Sequence, residues 1–221
     1  MFMFNRYGGH RELRRELCEL CPNAEAARRL VISHGIAPSP MMYVHESLLL
    51  YRLSTQYNFA GSNILEIGTA LGGSAAIIAS AAPLANIVTL DPNVDRSAKA
   101  SKLLRHWDNV VVRNEKSWDY LSTYTSPQLN LILVDGDHAY GVWQDVSWWN
   151  WLHDGGLILF HDYSDTLLLN IHNCVNELRR LLGRQFDVYI STSIKGFVGY
   201  YHRNEDPIIT LLEGPRLSTI D

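Results

Sequence analysis

Two short stretches of the sequence hold most of the residues suited to chemistry. The first contains Asp135, Asp137 and His138, and the second contains His161 and Asp162. Carboxylate oxygens favour Mg²⁺ or Ca²⁺, whereas imidazole nitrogens favour softer metal ions. His138 is also a candidate general base, because the usual pKa of imidazole lies near neutral pH. Each residue taken alone could instead cap a helix or hydrogen-bond within a loop.

A glycine-rich turn earlier in the chain is a second candidate site. Gly68, Gly72 and Gly73 permit a tight turn that a ligand can approach closely. The nicotinamide fingerprint GxGxxG fails because Ala70 stands at its third position, and the lysine of a phosphate-binding P-loop is missing. Glu66, two residues before the first glycine, favours a cationic or amine-bearing ligand over a pyrophosphate.

Two further positions are typical of a nucleoside site. Asp91 ends an apolar run 25 residues after Glu66, where an acid can accept both hydroxyls of a ribose. Its alternative role is to cap the helix that begins near Pro92. Ser117 and Trp118 could contact an adenine, or could cap a helix and pack against the fold.

Short apolar runs alternate with helical segments from residue 62 onward. The runs cover residues 63–67, 87–90, 110–112, 129–134 and 157–160. Near-continuous apolar strands separated by helices predict a parallel sheet covered on both faces. A helix over 166–182 follows, and the runs 186–191 and 196–202 predict an antiparallel hairpin. Because ligands bind at the carboxyl ends of such strands, the candidate residues are expected to converge at one edge.

The chain divides into three predicted parts. Residues 1–59 form a helical cap with helices over 10–34 and 43–56, residues 60–205 form the α/β domain, and residues 206–221 form a tail. Cys18 and Cys21 have zinc-ligand spacing, but no second pair of ligands completes a four-ligand site, so we interpret them as packing thiols. The tryptophans of residues 143–151 are expected to pack on the sheet or on a partner subunit; stacking on an aromatic substrate is the alternative.

Composition narrows the function classes. Hydrophobic residues make up 47% of the 221 residues and charged residues 19%, which is enough to bury a core. A net charge of −4 argues against a nucleic-acid binder. The sequence has no apolar stretch of about 18 residues and no apolar middle region of a secretion signal. We therefore expect a soluble, cytoplasmic protein without a membrane partner.

Together these motifs resemble the class I S-adenosylmethionine-dependent methyltransferases over roughly residues 60–200. The most specific matches are Glu66-x-Gly68-x3-Gly72-x-Ser74, Asp91 and the segment from Val134 to Asp162. That segment is similar to the macrocin-type small-molecule O-methyltransferases, and more distantly to the catechol and caffeoyl-CoA enzymes. The resemblance implies a Rossmann-like α/β fold. Its sheet would have seven mostly parallel strands with an antiparallel C-terminal edge strand, and helices on both faces.

The resemblance also implies roles for the matching residues. The methionine part of S-adenosylmethionine would lie beside Glu66 and the turn that holds Gly68, Thr69, Gly72 and Ser74. The ribose would be held by Asp91, and the adenine would lie near Ser117 and Trp118. Asp135 would contact the cofactor as well as the reaction centre.

For catalysis, His138 stands where the catechol-type relatives carry a lysine base, and it would deprotonate a hydroxyl of a small-molecule substrate. A divalent metal such as Mg²⁺ would be held by Asp135, His161 and Asp162. The histidine at 161 departs from the acid of those relatives and weakens a site for a hard metal. N-methylation and a non-catalytic, cofactor-binding subunit are the alternatives. Related enzymes often dimerise, so a homodimer is expected.

Overall fold

The computed structural model describes residues 42–163, 168–191 and 196–210, together with residues 15, 19, 22, 23, 26 and 29. Its strands are β1 (Asn63–Ile67), β2 (Asn86–Leu90), β3 (Val110–Arg113), β4 (Leu129–Val134), β5 (Leu152–Phe160), β6 (Val188–Ser191) and β7 (Gly196–Tyr201). They form one seven-stranded sheet in the order β3-β2-β1-β4-β5-β7-β6. The strand order reverses direction between β1 and β4, which is where open α/β sheets bind ligands.

The helices are α1 (Val44–Ser54), α2 (Gly73–Ala81), α3 (Val94–Leu104), α4 (Ser117–Thr123), α5 (Gly141–Asp145) and α6 (Leu169–Leu182). Two 3₁₀ segments, Thr55–Tyr57 and Val146–Trp151, extend α1 and α5. Within the described ranges, no helix is long and apolar enough to cross a membrane. Of the predicted helix over 10–34, the structure describes six residues: 15, 19, 23, 26 and 29 are helical, and 22 lies in a turn. The Cys18–Cys21 pair, the hairpin turn 192–195 and the tail beyond 210 lie outside the described residues.

The predicted fold class is confirmed. Strands β1 to β5 run parallel, and β7 runs antiparallel to both β5 and β6. The antiparallel strand is therefore second from the edge, and β6 occupies the edge itself. The chain reaches this order because it leaves β5 through α6 to the outer strand first, and then returns by the hairpin to pair beside β5.

Two hydrophobic clusters of described residues cover the two faces of the sheet. Alternate side chains of a strand point to opposite faces, so Leu131 and Leu133 join one cluster, and Ile132 and Val134 join the other. The first cluster is completed by α1, α2 and α3, and the second by α5, α6 and the 3₁₀ segment at 146–151. Helix α1 thus shares a core with β1, while the predicted domain boundary at residue 60 stays a prediction.

Sheet register aligns the carboxyl ends of four strands. Ile67 pairs with Leu90 of β2 and with Val134 of β4, and Val134 pairs with Phe160 of β5. The residues that follow these strand ends therefore emerge side by side at one edge of the sheet.

Candidate active site

The turn after β1 requires glycine at position 68. Gly68 has a φ of 104°, and a Cβ there would lie 2.1 Å from the carbonyl oxygen of Asp135. The backbone N–H groups of Gly68 and Thr69 both donate to the carbonyl of Leu90, at 2.9 and 3.0 Å. The turn is thereby fixed to the ends of β2 and β4, against which it packs without a side chain.

Asp91 joins two loops at the same edge. One carboxylate oxygen accepts the N–H of Ala70 at 2.9 Å, and the other accepts the N–H of Asn93 at 2.8 Å. The side chain that caps α3 is Asn93, which accepts the N–H of Arg96. Asp91 therefore does not cap this helix, and its carboxylate lies in the cavity wall.

Glu66 lies beneath the turn. It is fully buried, its Oε2 accepts the hydroxyl of Thr89 at 2.5 Å, and that hydroxyl also lies 2.6 Å from the hydroxyl of Thr69. Burial raises the pKa of Glu66 to about 7. Glu66, Thr69, Gly72 and Ser74 are all absent from the residues that line the cavity. Glu66 and Thr69 support the turn from behind through the Thr89 hydroxyl, whereas Gly68 and Ala70 face the cavity.

A cavity of about 360 Å³ lies between the ends of β1, β2 and β4 and the starts of α3 and α4. This volume is within the usual range for small-molecule sites. Its wall includes the predicted residues Gly68, Asp91, Ser117, Trp118, Asp135 and His138. The structure therefore brings together at one cavity residues that are as much as 70 positions apart in the sequence.

Asp145 is a cavity residue that the sequence analysis missed. It accepts a hydrogen bond from the Ser117 hydroxyl, and burial raises its pKa to about 7. Ser117 does not occupy the capping position of α4, which falls at Lys116. The missed signal was an acid placed within the apolar and aromatic residues of α5, where a solvated carboxylate is not expected.

The acids and histidines of β4 and β5 form one cluster. His161 Nδ1 lies 3.0 Å from Asp135 Oδ1 and 3.4 Å from Asp162 Oδ1. One candidate ligand atom from each of the three residues falls within 4.8 Å of the others. Asp162 has a left-handed backbone, with a φ of 58°, and this conformation lies directly after β5. The geometry suits a divalent cation bound by two oxygens and one nitrogen.

His138 completes the cluster on the cavity side. Its Nε2 lies 3.4 Å from Asp162 Oδ2 and 3.8 Å from Asp135 Oδ1, and its side chain is 24% exposed. An imidazole that faces a cavity and is flanked by carboxylates can accept a proton, because the carboxylates stabilise the resulting positive charge. Asp137 is exposed and serves the backbone instead, accepting the N–H groups of Ala139 and Gly141.

Glu46 of α1 is a second residue that the sequence analysis missed. Its Oε1 lies 3.4 Å from His161 Nε2, and both residues are almost completely buried. Burial alone would lower the pKa of His161, but Asp135 and Glu46 on its two sides raise that pKa to about 10. The available signal was the single acid of α1, placed directly before a mostly apolar run.

Residues 65–163 match the family model described as a methyltransferase domain. The match runs from β1 to the end of β5 and so includes the glycine turn, Asp91 and the Asp135–His161–Asp162 cluster. This match and the Rossmann-like fold are consistent with a class I S-adenosylmethionine-dependent methyltransferase. No curated protein sequence matches this chain.

Solved structures share the fold of this chain at low sequence identity. An O-methyltransferase of tomaymycin synthesis from Streptomyces achromogenes, in complex with SAM, is 15% identical with a TM-score of 0.62, over 91% of this chain and 99% of that one. A putative caffeoyl-CoA O-methyltransferase from Staphylococcus aureus is 15% identical with a TM-score of 0.63, over 86% and 99%. An N-methyltransferase from Bradyrhizobium japonicum is 17% identical with a TM-score of 0.55, over 71% and 94%.

Proposed function

We propose that this protein is a methyltransferase that transfers the methyl group of S-adenosylmethionine to a hydroxyl oxygen of a small molecule. The observation that supports this proposal is the position of His138 between the cavity and the carboxylates of Asp135 and Asp162. A base at the wall of the cofactor cavity is what a neutral hydroxyl nucleophile needs, because its proton must leave as the new bond forms.

The cavity wall fits the charge and shape of the cofactor. Asp91 would accept the ribose hydroxyls with oxygen lone pairs that the two loop N–H groups leave available. Ser117, Trp118 and the buried Asp145 would contact the adenine. Acidic residues of the wall would balance the positive charge of the ligand. When bound, S-adenosylmethionine supplies a methyl group on an activated sulfonium sulfur.

His138 would act on the acceptor. Its Nε2 would take the hydroxyl proton, and the carboxylates 3.4 and 3.8 Å away would stabilise the imidazolium that results. The residues at the strand ends are held by sheet register and buried packing, so they would orient the acceptor oxygen without large rearrangement. Positioning of this kind supplies much of the rate when the donor is already activated.

Asp135, His161 and Asp162 would hold a divalent metal ion such as Mg²⁺. Separations of 3.0 and 3.4 Å between their candidate ligand atoms are consistent with neighbouring ligands around one cation at about 2.1–2.4 Å. Such an ion would polarise the acceptor oxygen and lower the pKa of its hydroxyl.

The test combines binding and product analysis. The purified protein is titrated calorimetrically with S-adenosylmethionine and with NAD, and methyl-labelled S-adenosylmethionine is then supplied with a panel of phenols, sugars and amines. We expect S-adenosylmethionine to bind and the label to appear on oxygen. His138→Ala should lower the transfer rate by about 10²–10⁴ and leave cofactor affinity unchanged.

Other outcomes separate the alternatives. Label found on nitrogen would make the protein an N-methyltransferase. Transfer that is insensitive to His138→Ala would remove the proposed base. Tight cofactor binding without transfer to any acceptor class would support a non-catalytic, cofactor-binding subunit.

A further inference from the structure

Glu46 is held in one orientation by the backbone that precedes α1. Its Oε2 accepts the N–H of Tyr43 at 2.6 Å, which satisfies the start of the helix. Its other oxygen, Oε1, is left to face His161 Nε2 at 3.4 Å. Because the carboxylate is fully buried and anchored at one oxygen, it cannot turn away from the imidazole without losing a helix-capping bond.

Glu46 Oε1 and His161 Nε2 are complementary buried atoms. Among the residues that the structure describes, neither atom has a conventional hydrogen-bond partner. The two atoms lie 3.4 Å apart, and a carboxylate oxygen is a suitable acceptor for an imidazole N–H. Unpaired buried polar atoms are costly, so a slight approach of the two is favoured. The imidazole plane is fixed further by Phe197, whose ring centroid lies 4.7 Å from that of His161.

This contact favours Nδ1 as the nitrogen of His161 that a cation in the cluster would bind. A carboxylate at Nε2 favours retention of the proton on Nε2, so a cation bound in the cluster would displace the proton that Nδ1 shares with Asp135 and bind at Nδ1. A carboxylate that orients a metal-ligating histidine through its second nitrogen is a common arrangement in metalloproteins.

We propose that Glu46 is a positioning residue that sets His161 Nδ1 as a metal ligand, and that the resulting site of two oxygens and one nitrogen prefers a first-row transition-metal ion such as Mn²⁺ over Mg²⁺. The inference rests on the metal site of the proposed function. Imidazole suits transition metals, whereas Mg²⁺ is bound almost entirely by oxygen. His161 therefore changes the type of metal rather than abolishing the site.

The experiment measures equilibrium binding of Mn²⁺ and Mg²⁺ to the chelator-treated full chain by calorimetry. Glu46→Gln keeps an oxygen for the Tyr43 N–H but turns an amide N–H toward His161 Nε2, which moves the imidazole proton to Nδ1. We expect this variant to bind Mn²⁺ about 10–100-fold more weakly than the unmodified protein. His161→Glu, which supplies a third carboxylate, should lower the ratio of Mn²⁺ to Mg²⁺ affinity by about tenfold.

The matched control is Glu177→Gln, the same change on α6, where Glu177 pairs with the exposed Arg180. It should leave both metal affinities unchanged. S-adenosylmethionine is titrated into the same samples: a chain that binds this cofactor but no Mn²⁺ refutes the present inference and leaves the methyltransferase intact. Unchanged Mn²⁺ affinity in Glu46→Gln, or an unchanged metal ratio in His161→Glu, also overturns it.

A spectroscopic measurement avoids dependence on variants that fold poorly. In ¹⁵N NMR of the unmodified protein loaded with Zn²⁺, a diamagnetic substitute, we expect His161 to show a protonated Nε2 and a metal-bound Nδ1. A metal-bound Nε2, or an imidazole whose signals do not respond to Zn²⁺, would contradict the proposal.

Discussion

Acidic side chains have different roles at different depths in this protein. Asp91 lies in the cavity wall, where each carboxylate oxygen accepts one loop N–H and so orders the loops. Each oxygen keeps a further lone pair for a ligand. Glu66 is fully buried behind the turn, where its pKa rises to about 7 because water is excluded. Residue type alone did not separate these two roles, since both are acids at the carboxyl end of a predicted strand.

Replacing Glu66 by glutamine tests the cost of its burial. The pKa of Glu66 is raised from 4.5 to about 7, so the folded state binds a proton that the unfolded chain releases above pH 4.5. Its contribution to the free energy of unfolding therefore falls as pH rises from about 4.5 to 7. The stability of Glu66→Gln relative to the unmodified protein should increase over that range by up to about 3 kcal/mol. Denaturant unfolding at several pH values measures it, and a pH-independent difference would contradict the burial argument.

Asp91→Asn tests the cavity wall. Asparagine offers one acceptor oxygen, so the N–H of either Ala70 or Asn93 would face an amide N–H. We expect S-adenosylmethionine to bind at least about tenfold more weakly in calorimetry, because a ribose acceptor is lost and the loops are less ordered. Asp95→Asn, an exposed neighbour on α3, is the control and should bind normally. Equal affinities in the two variants would remove Asp91 from the binding site.

At the level of elements, the turn between β1 and α2 depends on a missing side chain. Gly68→Ala places a Cβ against the Asp135 carbonyl and forces a left-handed residue, whereas Gly61→Ala, with a φ of 87°, meets nothing within 4 Å. Gly61→Ala should lower the free energy of unfolding by about 1–2 kcal/mol from backbone strain. Gly68→Ala should cost at least about 2 kcal/mol more, since the carbonyl of Asp135, directly after β4, must also move. Thermal unfolding of the two variants measures the difference, and equal losses would show that the turn adapts.

The sequence predicted the elements better than their contacts. The apolar runs of the sequence predicted both ends of β1 to β4 to within one residue, because each strand is bounded by polar or glycine-containing turns. Position 161 and the Asp135 stretch were correctly placed at neighbouring strand ends by the parallel topology alone. Glu46 could not be placed, because its contact with His161 joins residues 115 positions apart through the packing of α1, which no local pattern encodes. The 3₁₀ segment after α5 could likewise not be distinguished from an α-helix by the spacing of its apolar residues.

For the whole molecule, the second core cluster accounts for the tryptophans of residues 143–151. Trp148 and Trp149 are fully buried on one face of the sheet, and Trp148 packs edge-on against Tyr124 at 5.1 Å. This placement favours the packing role over stacking on a substrate. The expected partner subunit is not needed to cover these two rings.

We therefore expect Trp148→Ala to lower the stability of the protein and not its affinity for the cofactor. Removing a fully buried indole should lower the free energy of unfolding by about 3–5 kcal/mol. Cofactor affinity, measured well below the unfolding midpoint, should be unchanged. Phe59→Ala, at a ring that is 45% exposed, is the control and should cost much less. A stable Trp148→Ala variant that loses acceptor turnover would instead favour substrate stacking.

The insertion of β7 between β5 and β6 leaves the sheet with two short borders, β3 and β6, of four residues each. At about 3.3 Å per residue, each border offers only about 13 Å of unpaired main chain. Such brief borders are poor templates for strand addition from another molecule, which protects the protein from fibril-like stacking. Self-association of this chain should therefore proceed through its helical surfaces, and continuous sheets that cross from one copy to the next are disfavoured.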